Sequence, residues 1–79
     1  MPTRVLLADD HKLFREGLRS LLDSADFEIV GEAASGTDAI REARRLVPDV
    51  AIVDVGMPGL NGVDATREVL RAAPRCKVI

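Results

Sequence analysis

Seventy-nine residues, 47% hydrophobic and 30% charged, make one small domain of ordinary globular composition, able to bury only about 60% of its unfolded surface. The net charge of −2 gives no electrostatic basis for direct binding to nucleic acid or to an anionic membrane surface. The chain holds no apolar run near the roughly 18 residues of a membrane span, no secretory signal core and no cysteine partner for Cys76, which predicts a cytoplasmic, reducing setting.

Val5-Leu6-Leu7-Ala8 is a continuous apolar run, suited to a strand covered on both faces. Apolar residues then recur in pairs, Leu13/Phe14, Gly17/Leu18 and Leu21/Leu22. This predicts a helix whose opposite, solvated face carries Arg15, Glu16, Arg19 and Asp23. Gly17 inside that helix implies close packing against the sheet. A second strand is predicted over 27–34, and its Glu28 and Glu32 suit an edge. Ser35-Gly36-Thr37-Asp38 resembles a capping box. The helix behind it shows Ala39, Ile40, Ala43, Leu46 and Val47 on one face, and Pro48 ends it.

Val50-Ala51-Ile52-Val53 makes a third apolar strand, followed by a loop over 55–60. Asn61 can cap a third helix in which Val63, Thr66, Val69, Leu70 and Ala73 share a face, with Pro74 closing it. Lys77-Val78-Ile79 begins a fourth strand. Alternating β and α segments call for an α/β fold: a doubly wound parallel sheet with right-handed crossovers.

Asp9 and Asp10 come directly after the first strand and Asp54 directly after the third. In open parallel sheets ligands bind at the carboxyl ends of strands, where the strand order reverses. With strands one and three adjacent, the three carboxylates meet there. Two unit charges about 4 Å apart repel by roughly 4 kcal/mol at an intermediate dielectric, so protonation or a bound cation must offset them. A hard divalent ion with oxygen ligands, Mg2+ above all, meets that need, and a neighbouring carboxylate can then attack phosphorus. The structural alternatives are plain: Asp10 as the first helix's cap and Asp54 as the start of a turn. His11 reads as a solvated first-turn residue, Met57 as loop packing and Arg44-Arg45 as part of a solvated face.

The stretches Val5-Leu6-Leu7-Ala8-Asp9-Asp10-His11 and Asp54-Val55-Gly56-Met57-Pro58-Gly59-Leu60-Asn61-Gly62 resemble the opening and the phosphoacceptor loop of response-regulator receiver domains. His11-Lys12-Leu13-Phe14-Arg15-Glu16-Gly17-Leu18 is similar to receivers of the NarL/FixJ (LuxR) type, which precede a helix-turn-helix output domain. The resemblance implies a flavodoxin-like sheet of strand order 2-1-3-4, with Asp54 phosphorylated by a partner histidine kinase. It implies Mg2+ bound by Asp10, by Asp9 directly or through water, by Asp54 and by the Gly56 carbonyl. Pro58 and Gly62 would be backbone fixtures of the loop and helix start.

Complete receivers have five strands, with a Ser or Thr ending the fourth and a Lys ending the fifth. Neither Lys12 nor Lys77 follows a fifth strand, and Thr3, Ser20, Ser24, Ser35, Thr37 and Thr66 do not end the fourth. Residues 1–79 therefore read as a partial receiver without its switch residues or DNA-binding output domain. A bare sheet edge and face then predict a homodimer or larger species. Two other functions compete: a self-associating module without phosphotransfer, and a Mg2+-dependent aspartyl phosphohydrolase. Such hydrolases often place a second acid two residues after the nucleophile, where this chain has Gly56. A nucleotide-binding loop over 31–36 fails for want of the following Lys and Ser/Thr.

Overall fold

In the computed structural model, which describes residues 2–24, 26–54, 67–71 and 77–78, strands and helices alternate as the periodicity demands. They are β1 (Thr3–Ala8), α1 (Lys12–Leu22), β2 (Phe27–Ala33), α2 (Gly36–Leu46), β3 (Val50–Val53), a helical stretch at 67–71 and β4 (Lys77–Val78). The sheet order is β2-β1-β3-β4, with every pairing parallel. β2 takes an edge, as its polar residues led one to expect.

Alternation along β1 divides the core in two. Leu6 and Ala8 pack with Ala33, Ala39, Ala43, Ala51, Val53 and Val69, so α2 and the 67–71 helix share one sheet face. Val5 and Leu7 pack with Ile29 on the other face, where Leu18 and Leu22 of α1 lie against them. Val5, Leu6 and Leu7 are at most 2% exposed. The register between β1 and β2 slips at one point: Val5 pairs with Ile29 and Leu6 with Gly31, leaving Val30 without a counterpart. This bulge turns Gly31 toward α2, where an added Cβ would lie 2.5 Å from the Leu46 side chain. It also turns Glu32 toward α1, where Arg15 and Arg19 meet it.

Two expectations for α1 are corrected. A Cβ on Gly17 would meet nothing within 4 Å, so the glycine permits no close approach there. The apolar face is also covered only in part by the described residues. Leu18 and Leu22 pack, while Leu13 is 82%, Phe14 55% and Leu21 81% exposed. The solvated face is likewise mixed, since Arg15 is largely covered (15% exposed). For the third helix, Val69 is buried and Leu70 is partly exposed, while Asn61, Val63, Thr66 and Ala73 lie outside the described residues.

The two ends of α2 are built differently. Ser35, in extended conformation, accepts a hydrogen bond at its Oγ from the Asp38 N–H at 3.1 Å, an N-cap. The Asp38 carboxylate accepts from Arg41 rather than reaching back, so half of the capping box forms. At the other end Val47 closes the helix with φ 45°, a left-handed conformation that is costly for a β-branched residue. Opposite mutational effects are expected: Ser35→Ala should lower stability by about 1 kcal/mol. Val47→Gly should raise it by up to about 1 kcal/mol. The shift of the urea unfolding midpoint, followed by circular dichroism, measures both.

Candidate acidic metal and phosphoryl site

Strand register brings the acids together. Ala8 and Val53, the last residues of β1 and β3, are paired. The Asp54 N–H continues the ladder to the Ala8 carbonyl at 2.8 Å, and the Asp9 N–H donates to the Ala33 carbonyl at 2.9 Å. Both acids therefore leave the sheet at one level. Asp9 is the most covered, its side chain 11% exposed, against 28% for Asp54 and 33% for Asp10.

The N-cap of α1 is His11, one residue beyond Asp10, and its side chain makes no capping bond. This removes the reading of Asp10 as a helix cap. The Asp9 carboxylate instead accepts the His11 N–H at 2.8 Å, an Asx-type turn that bends the chain from strand into helix. The same turn carries the His11 ring into the acids. Its Nδ1 lies 2.9 Å from Asp9 Oδ1, 3.1 Å from Asp10 Oδ1 and 4.0 Å from Asp54 Oδ2.

The imidazole pKa is raised from its ordinary value, first by the hydrogen bond to Asp9, then by the charges of Asp10 and Asp9. Slight desolvation opposes this, and Asp54 adds a smaller part. His11 is thus solvated, as its position suggested, with a side chain 72% exposed. It is also a member of the cluster, which its position did not suggest. One ligand atom from each of Asp9, Asp10, His11 and Asp54 can be chosen so that all lie within 4.8 Å of one another.

The three acids singled out from the sequence are thereby gathered in one place. Gly56, Pro58 and Gly62 fall outside the described residues, as does Met57. Arg15 is the residue that sequence reasoning missed. Its Nη1 donates to the Asp9 carbonyl at 3.0 Å, and its Nε lies 3.4 Å from Glu32 Oε1. The available signal was weak: a basic residue one turn into a helix that follows the acids.

A set of three carboxylates with one imidazole suits a divalent cation, and hard oxygens dominate it. Residues 5–79 match the sequence profile of the response regulator receiver domain. The chain belongs to that family. Response regulator GacA from Pseudomonas viridiflava is 48% identical over 77 residues, which cover 96% of this chain and 36% of that protein. The signal receiver domain of the response regulator NarL from Mycobacterium tuberculosis superposes with a TM-score of 0.88 at 37% identity, covering 98% of this chain and 63% of that one. RcsB from Salmonella enterica serovar Typhimurium, solved bound to the promoter rprA, gives 0.84 at 29% identity, covering 96% of this chain and 65% of that one. The chain therefore spans about a third of the length of GacA. Its fold is the flavodoxin-like sheet that the family resemblance implied, and response regulators are signalling proteins of two-component systems. Among the described residues no helix is long and apolar enough to cross a membrane.

The electrostatics of the cluster give a test that needs no phosphate. In metal-free, low-salt buffer at alkaline pH, where His11 is neutral and its attraction to Asp10 is gone, Asp10→Asn relieves part of the repulsion among the acids. It should raise stability by about 1 kcal/mol, an estimate scaled down for partial exposure. Any stabilisation of the wild-type chain by millimolar Mg2+ should be mostly lost in the same variant. Paired urea titrations with and without Mg2+ read both effects.

Proposed function

We propose that this receiver accepts a phosphoryl group on Asp54 from a sensor histidine kinase, with Mg2+ at the acidic cluster. The observation that carries the reading is the convergence of Asp9, Asp10 and Asp54 at the carboxyl ends of two neighbouring parallel strands. Asp54 is exposed enough for a donor to reach, while its main chain is tied into the ladder. An Asp54 carboxylate oxygen attacks phosphorus, the P–N bond of the phosphohistidine breaks, and its electron pair leaves on the imidazole nitrogen. The product is an acyl phosphate.

Asp10, Asp54 and, directly or through water, Asp9 would hold the ion, together with the carbonyl of Gly56. When bound, Mg2+ neutralises the acids and the incoming phosphoryl oxygens. Asp9, buried and held by Ala33, His11 and Arg15, would orient the site, and the more open Asp10 would be the carboxylate that binds the ion directly.

On this reading residues 1–79 supply β1 to β4 of a receiver whose phosphorylation state controls transcription through an output domain. The promoter-bound relative supports that outcome. With a sensor kinase as donor and a promoter as target, the working compartment is the cytoplasm. The chain then acts as a stoichiometric acceptor rather than a turnover enzyme.

Incubation with a small acyl-phosphate donor and Mg2+ should add the mass of one phosphoryl group, and Asp54→Asn should abolish the addition. An adduct that persists in Asp54→Asn, or steady turnover of a phosphoester by the wild type, would contradict the assignment.

One observation favours self-association as well. Leu13, Phe14 and Leu21 form an exposed apolar strip beside Leu18, along a groove of about 810 Å3 that ends at Asp9 and Asp54. A second copy laid on this strip would remove it from water. Sedimentation equilibrium should show dimers or larger species, and Leu13→Glu combined with Leu21→Glu should shift the distribution toward monomer. An unchanged mass distribution in the double variant would discount this face.

A further inference from the structure

Arg15 touches the acid cluster from its main-chain side. Its guanidinium is largely covered, and Nη1 donates to the Asp9 carbonyl at 3.0 Å. The buried Nε lies 3.4 Å from Glu32 Oε1 without making a hydrogen bond, so that contact is electrostatic. Glu32 Oε2 is held in turn by Arg19 Nη1 at 2.6 Å. On its other side the Asp9 N–H is fixed to the Ala33 carbonyl. A peptide bond is planar, so orienting the Asp9 carbonyl also orients the Asp10 N–H and the direction in which Asp10 leaves the strand.

We propose that Arg15, braced by Glu32, is a positioning residue for the metal site: it sets the Asp9–Asp10 peptide and through it the Asp10 carboxylate. This rests on the reading of the cluster as a Mg2+ site. The bulge at Val30 belongs to the device, because it places Glu32 rather than Gly31 opposite α1. Arg15 suits the task better than lysine would, since its planar fork reaches the carbonyl and the carboxylate at once. The proposal makes a prediction opposite in sign to simple Coulomb reasoning. A cation beside three acids weakens their hold on another cation, so deleting its charge alone would tighten Mg2+ binding. Loss of positioning weakens it.

The test is calorimetric Mg2+ titration of the 79-residue chain, of Arg15→Gln, of Glu32→Gln and of the double variant. Arg15→Gln is expected to raise the Mg2+ Kd about tenfold, the usual effect of losing an outer partner of a metal ligand. Glu32→Gln should weaken binding in the wild-type background and add nothing in the Arg15→Gln background. In the metal-free chain, the Asp10 amide should shift and exchange faster in Arg15→Gln while the amides of α2 do not.

Unchanged or tighter Mg2+ binding in a folded Arg15→Gln chain overturns the proposal. So does an equal effect of Glu32→Gln in both backgrounds. If Arg15→Gln fails to fold, Arg15→Lys carries the test: it keeps the charge without the fork and should raise the Kd at least about threefold. Wild-type affinity in that variant overturns the proposal equally. A wild-type chain that binds no Mg2+, or binds it unchanged in Asp10→Asn, removes the metal-site reading instead. The Asp10 amide then decides by itself whether Arg15 fixes the peptide.

Discussion

The parallel pairing of β1 with β3 on one side and β2 on the other is the constraint on which the rest of the structure depends. It runs level to the ends of the strands, where Asp54 donates to Ala8 and Asp9 donates to Ala33. Three carboxylates are gathered by these bonds against their mutual repulsion. Each close pair costs up to roughly 4 kcal/mol at an intermediate dielectric, and solvent reduces that at Asp10 and Asp54. Burial of Val5, Leu6 and Leu7 opposes it, each side chain contributing about 1.5–3 kcal/mol. The central strand can therefore hold an electrostatically unfavourable site at its tip, because its own residues supply much of the core on both faces.

The helix beside the site is held by a different balance. α1 buries no residue fully, although its apolar positions are spaced for a buried face. Leu18 and Leu22 anchor it to the sheet, and Arg15 and Arg19 clamp it to Glu32 on β2. Arg19 is half exposed, and a surface pair of that kind contributes little. Arg15 is the more covered cation and the one tied to the acid-bearing turn. The strip left in water by α1 and the acidic cluster border the same groove, so a partner laid on the strip would sit next to Asp54. Surface and chemistry are adjacent because the turn from β1 into α1 is a single residue step past the acids.

The α/β class, the edge position of β2, the Ser35 cap and the identity of the three acids were legible in the sequence. These follow from local patterns: apolar runs, helical spacing and the placement of polar residues directly after strands. Family resemblance added the strand order and the role expected of Asp54. Tertiary structure alone decided the rest. Leu13, Phe14 and Leu21 share the spacing of Leu18 and Leu22, and within these 79 residues the described sheet covers only the latter two. His11 entered the cluster because an Asx turn at Asp9 set its direction. Arg15 left the solvated face because the bulge at Val30 turned Glu32 toward it, and a one-residue slip of register leaves no mark in composition or period. Local sequence determines which residues belong to a strand or a helix. Which of them meet across the sheet depends on register, a property of two strands together.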